Sequence, residues 1–143
     1  MTARSVRNNN PLNIRIGEKW QGLMPADQMT PEQAAEKEFC VFRSPAYGFR
    51  AAAKLFANYR RIYGVHTIAD GIKRLAPPNE NNTPAYIRAV CDYTAMKPGD
   101  TWPFPGRPPQ QMAVLKACAI HEAGGWFFTQ DDLATGVRMA EED

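Results

Sequence analysis

The chain has 143 residues, of which 44% are apolar, enough to bury one core and too few to suggest two domains. A formal net charge of +2 is too weak to argue for nucleic acid, though it is compatible with a polyanionic surface such as a cell envelope. One domain spanning residues 1–143 is therefore expected.

Residues Arg4 to Gly17 are polar and turn-rich, with Asn8-Asn9-Asn10-Pro11 leading into the short alternating segment Leu12-Asn13-Ile14-Arg15-Ile16. That alternation predicts a short strand. Its partner would be Phe39-Cys40-Val41-Phe42, reached through a loop with Trp20, Gly22 and Pro25 and a small helix opened by Thr30-Pro31-Glu32. Ser44-Pro45 starts the strongest helix, with Phe49, Ala52, Phe56, Tyr59 and Tyr63 at helical spacing and Gly64 as its stop. A shorter helix follows from Thr67 to about Leu75, ended by Pro77-Pro78. Asn82-Thr83-Pro84 is a cap-plus-proline start for a helix through Tyr86, Ile87, Val90 and Tyr93. Lys97 to Pro109 holds five prolines and two glycines and reads as an ordered loop carrying Trp102 and Phe104. After the run from Gln110 to His121, Thr129 with Asp131 and Asp132 begins a final helix through Leu133, Val137 and Met139.

Glu122 closes the apolar run from Gln110 and is followed by Ala123-Gly124-Gly125-Trp126. On a helix, Leu115, Cys118, Ala119 and Glu122 share one stripe, which puts the carboxyl at the edge of the buried face. Partial desolvation and the unpaired carbonyls of a helix C-terminus both disfavour the anion there. A carboxyl group kept protonated suits general-acid cleavage of a glycosidic bond, because the leaving oxygen needs a proton as an oxocarbenium-like centre develops. The competing reading is a solvated surface glutamate.

Cys40, Cys91 and Cys118 show no metal-binding spacing, so reduced, partly buried thiols with no disulfide and no zinc are expected. His121-Glu122 lacks the second histidine of a His-Glu-x-x-His site, and no metal or cofactor is expected. Met1 to Ile16 lacks the apolar region of a signal peptide, and no stretch approaches the ~20 apolar residues of a membrane span. Synthesis in a cytoplasm, without stable membrane insertion, follows as an expectation.

Several blocks in order carry a resemblance: Arg7-Asn8-Asn9-Asn10-Pro11-Leu12-Asn13-Ile14-Arg15, Trp20-Gln21-Gly22, Phe42-Arg43-Ser44-Pro45-Ala46-Tyr47-Gly48-Phe49-Arg50-Ala51, Ala76-Pro77-Pro78-Asn79-Glu80-Asn81-Asn82-Thr83-Pro84-Ala85-Tyr86-Ile87, and His121-Glu122-Ala123-Gly124. Over nearly the full length the set looks like a family of small phage-encoded lysozyme-like proteins. Leu12 departs from it where glycine is common, and Ala123 where asparagine is frequent. The chain also resembles lytic transglycosylases and flagellar-type glucosaminidases, in which a helix ending in Glu-Ser-Gly precedes an asparagine-rich segment, a Trp-Gly loop and a β element. Here the Glu-Gly block comes last. If the termini lie close together, the order is that of a lysozyme-like fold circularly permuted, with Glu122 in the place of the catalytic acid.

The resemblance implies a mainly helical α+β domain with a small β element, and a muramidase or lytic transglycosylase that cuts the β-1,4 bond between N-acetylmuramic acid and N-acetylglucosamine in peptidoglycan glycan strands. It implies bacteriolytic cell-wall degradation by a phage endolysin released from the host cytoplasm, or by a virion-associated enzyme, and a monomer is expected. The alternative is a virion structural or glycan-binding module of the same fold without turnover. Thr83-Pro84-Ala85-Tyr86 looks like the Glu-Thr-x-x-Tyr block of the transglycosylases, with Asn82 at the acid's place. Tyr86 would then orient Glu122 or contact a sugar, or else be a core ring beside a capping Thr83. Asn10 and Asn13 would bind N-acetyl groups, or else satisfy turns. Trp126 is the preferred groove wall, and Tyr47 either enters the cleft or packs. Glu18, Asp27, Glu36 and Glu38 are candidates for a second carboxylate, against the reading of a solvated charge run.

Overall fold

A computed structural model describes residues 2–142, and within them the protein is mainly helical. In chain order the helices are α1 (Arg4–Arg7), α2 (Pro31–Ala34), α3 (Pro45–Tyr63), α4 (Ile68–Leu75), α5 (Thr83–Thr94), α6 (Pro108–Ala123) and α7 (Gln130–Glu142). No helix among the described residues is long and apolar enough to cross a membrane.

The long helix α3 is the spine. Proline stands in its first turn, and Gly64 at φ +68° closes it in the left-handed conformation that a Cβ disfavours. Its Ala51, Ala52, Phe49 and Phe56 are almost fully buried. Helix α7 packs along it closely enough that a Cβ on Gly136 would meet the Ala46 carbonyl and Phe49. Helix α6 lies against α5, α7, α3 and α1, so it carries Glu122 through the middle of the molecule. The Leu115, Cys118 and Ala119 stripe is fully buried. The proline-rich loop is held by its aromatic residues: Trp102 and Phe104 pack on Phe56, and the indole Nε1–H of Trp102 donates to the Phe56 carbonyl at 2.9 Å.

Two expectations require correction. Arg4–Arg7, read as turn, forms one turn of helix. The β element is reduced to isolated bridges among the described residues: Arg15 opposite Phe39 and Leu23 opposite Phe42, both antiparallel. The Phe39–Arg43 segment does pair on both sides, through Cys40 N–H to Ile14 O at 2.9 Å and Met24 N–H to Val41 O at 2.9 Å. It fails to extend because Asn13, at φ +52°, turns the first segment out of the extended region.

The N-terminal turn is clamped by one carboxylate. Glu36, with its side chain 1% exposed, accepts from Arg4 Nε at 2.7 Å, Arg7 Nη2 at 2.6 Å, Asn8 Nδ2 at 2.9 Å and the backbone N–H of Glu38 at 3.1 Å. Glu36 is thus a buried structural anion, not part of a solvated charge run. The hydrogen bonds from Arg4 hold its carboxyl far below the usual carboxylate range, against the opposing effect of desolvation. On the other side, Asn9 and Pro11 lie so close to α3 that a Cβ on Gly48 would collide with them.

Candidate active site

Glu122 occupies the last turn of α6, one residue before Ala123, and Gly124 ends the helix at φ +78°. Both carboxylate oxygens are held. The Tyr86 hydroxyl donates to Oε2 at 2.9 Å, and the Asn13 side-chain amide donates to Oε1 at 2.8 Å.

Each donor is positioned by its own element. Asn82 accepts from Ala85 N–H as the cap of α5, and Pro84 fits the first turn, so Tyr86 falls on the inner face of that helix. Its ring is 2% exposed and lies 3.9 Å, centroid to centroid, from the ring of His121. Burial, reinforced by Cys118 and Glu122 nearby, pushes the phenol well above its ordinary value of 10, so Tyr86 keeps its proton and remains a donor. Asn13 reaches Glu122 from a left-handed backbone conformation, which asparagine tolerates better than other side-chain-bearing residues.

Glu122 and Asn13 line a cleft of about 470 Å³. Along it lie Leu12, Ile14, Arg15, Ile16 and Glu18 from the N-terminal segment, Trp20 and Phe39, Leu55 and Tyr59 of α3, and Arg74 to Pro77, Glu80 and Asn81 from the end of α4 and the loop after it. Its wall therefore mixes aromatic and aliphatic surface with a few polar groups, as a site for an amphipathic ligand requires.

The structure distributes the predicted site residues unevenly. It brings Glu122, Asn13 and Tyr86 into contact, although Tyr86, being buried, touches the carboxylate and does not line the cleft. Asn10 is corrected from sugar contact to scaffold: it is fully buried, its amide donates to the Ile14 and Cys40 carbonyls at 3.0 Å each, and its oxygen accepts from Ile14 N–H. Asn82 is exposed and serves as the cap, while its neighbour Asn81 lines the cleft. Trp126 is not a groove wall, since its ring packs with Phe49 and Phe128 under Lys116. Tyr47 also packs, its ring filling the space over Gly22.

Of the candidate second carboxylates, Glu36 is sequestered in the N-terminal clamp, Glu38 faces Arg4 and Arg15, and Asp27 lies in a short 3-10 turn. Glu18 lines the cleft, as does Glu80, 3.8 Å from Arg15. Neither hydrogen-bonds to Glu122. Sequence reasoning missed Glu80, Arg15, Tyr59 and Arg74 as cleft residues; they come from four separate segments with no shared local pattern.

All three cysteines are buried free thiols. Among the described residues no three His, Cys, Asp or Glu side chains gather as a metal site would require.

The fold and site together define a mainly helical domain that displays one carboxylate, held at both oxygens, in an open cleft. No family model matches the sequence. The chain is 32% identical over 143 aligned residues to Protein P5 of Pseudoalteromonas phage PM2, covering 94% of this chain and 79% of that protein, and it belongs to the family of that phage protein.

Proposed function

We propose that this protein is a phage peptidoglycan-cleaving enzyme, a muramidase or lytic transglycosylase, with Glu122 as the general acid. The observation that carries the reading is Glu122 on the wall of the cleft, held by Asn13 beside it and by the buried Tyr86 behind it. Asn13, 109 positions from Glu122 in the chain, and Tyr86 converge on its carboxyl group, while Asn8, Asn9 and Asn10 of the same segment are taken up by Glu36, Phe42 and the Ile14 and Cys40 carbonyls. In this reading the chain order is a circular permutation of the lysozyme-like arrangement, and the contact of α1 with α6 supports it.

In the proposed reaction the glycan lies along the cleft with the scissile oxygen at Glu122. Glu122 gives its proton to that oxygen as the C–O bond to the muramic acid anomeric carbon breaks, and an oxocarbenium-like centre develops there. The resulting carboxylate is stabilised by the hydrogen bonds from Tyr86 and Asn13, which act as positioning residues. It then serves as the base, taking a proton either from an attacking water, which gives a reducing end, or from the muramic acid's own 6-hydroxyl, which gives an anhydro end.

The test is digestion of purified sacculi, with the soluble muropeptides analysed by mass spectrometry. Wild-type protein is expected to release new reducing or anhydro sugar ends, and Glu122→Gln, with an unchanged thermal melt, to lose at least about a hundredfold in rate. Equal activity in the variant would refute the assignment. New amino groups in place of sugar ends would make the protein an amidase or peptidase.

A further inference from the structure

The cleft continues past Glu122 into a second stretch of about 730 Å³. The two share Glu18, Trp20, Leu55, Tyr59, Arg74 and Pro77, so they form one channel, and Glu122 lines only the first part. The second part is bordered by Arg61, Ile62, Tyr63 and Lys73.

Its charge is one-sided. Arg61, Lys73 and Arg74 stand against the single carboxylate of Glu18, and among the described residues no salt bridge neutralises any of the three. Arg61 is turned toward Asn58, whose Oδ1 accepts from it at 2.9 Å. The Arg74 guanidinium lies 3.1 Å from the centroid of the Tyr63 ring, which fixes a planar donor at the channel surface. Ile62 and Tyr63 are each 54% exposed, giving the same stretch an uncovered apolar edge. In a protein of net charge +2, three cations along one channel arm mark a place for an anion.

We propose that this arm binds the stem peptide of peptidoglycan through its free carboxylates, while the Glu122 stretch holds the sugars. The assignment rests on the peptidoglycan-cleaving reading above. A glycan backbone of N-acetylated sugars offers these cations nothing when its lactyl groups are closed as amides. The stem peptide begins at the lactyl group of muramic acid, leaves the sugar axis, and carries carboxylates along its length. A chain entering at Glu122 would therefore deliver its anionic branch to Arg61, Lys73 and Arg74, with the peptide's aliphatic carbons against Ile62 and Tyr63.

The test is calorimetric binding in the Glu122→Gln background, where the ligand survives. Three soluble tetrasaccharides are compared: one bearing stem peptides, the same with every peptide carboxylate amidated, and one stripped of peptide so that the lactyl carboxylates are bare. The peptide-bearing ligand is expected to bind about tenfold tighter than the amidated one. That advantage should vanish when R61Q and K73Q are added. It should also shrink in the parent protein as salt is raised from 0.05 to about 0.5 M, a readout independent of how the added substitutions fold. Equal affinity for the peptide-bearing and amidated ligands overturns the proposal, as does an advantage that survives R61Q and K73Q. Binding of the stripped glycan equal to the peptide-bearing one also overturns it, because the anion recognised would then be the lactyl group. Sugar-end release by wild-type protein is scored separately: its absence removes the role of Glu122, whereas the binding comparison still decides the role of the arm.

Discussion

Asn13 and Glu122 stand 109 residues apart in sequence and 2.8 Å apart in space. The donor comes from a left-handed turn near the start of the chain and the acceptor from the last turn of α6, so the site is completed by tertiary structure alone. Replacement of Asn13 can separate the backbone's role from that of the amide. Asn13→Gly keeps the φ of +52° accessible and is expected to melt within a few degrees of wild type while losing most of the turnover. Asn13→Ala should lose the same activity and about 1 kcal/mol of stability besides, measured by urea denaturation. Equal turnover in Asn13→Gly and wild type would remove the amide from the mechanism.

Tyr86→Phe deletes one hydroxyl from a ring whose packing is otherwise unchanged. A fall in kcat of about tenfold or more with little change in KM is expected, since the hydroxyl holds the acid and is buried away from the cleft. A change in KM alone would instead mark Tyr86 as a substrate contact.

Glu36 gives the acid limb of stability. Its carboxyl is held far below the ordinary value of 4.5, so its contribution is fully present above about pH 4.5 and is lost as the pH falls below that. Melting temperature should therefore drop steeply between pH 4.5 and 3. Glu36→Gln should flatten that limb and cost about 2 kcal/mol at pH 7, where it leaves the Arg7 guanidinium without its anion and Arg4 with the exposed Glu38 alone. A wild-type melt that is level from pH 5 to pH 3 would contradict the clamp.

Gly48→Ala probes the seat of the N-terminal turn on α3. The added methyl meets the Asn9 carbonyl and the Pro11 ring, and backbone on both sides limits relaxation. A loss of about 2 kcal/mol is expected, together with reduced turnover, because the segment displaced carries Asn13. Hydrogen exchange should show the change concentrated in residues 8–16.

Burial pushes all three thiols upward, Cys118 most strongly. Iodoacetamide at pH 8 should leave Cys40, Cys91 and Cys118 unlabelled in the folded protein and modify all three in 6 M guanidinium, as read by intact mass.

The helices were legible because the chain punctuates them. Pro45 and Gly64 bracket α3, Asn82 and Pro84 open α5, and Gly124 closes α6, each through local backbone chemistry that needs no distant partner. Glu122 was legible for the same reason, as an acid at the end of an apolar stripe. Asn8, Asn9, Asn10 and Asn13 look alike in sequence, yet three satisfy the turn and its neighbours while one faces the acid. That division is made by Glu36, Phe42 and Cys40, all about thirty residues away. The same limit explains Trp126 and Tyr47: whether an aromatic side chain lines a groove or fills a gap depends on Phe128, Phe49 and Gly22, which no helical periodicity brings into view. It explains Glu36 as well, whose partners Arg4 and Arg7 lie on a turn of helix too short to read.

Because Glu122 follows both of its donors in the chain, the site has a built-in order of assembly. During synthesis the asparagine turn, its Glu36 clamp and the long helix it rests on all leave the ribosome well before the last turn of α6. Nascent chains interrupted anywhere before that turn carry both side chains that receive the carboxylate, Asn13 and Tyr86, without Glu122 itself.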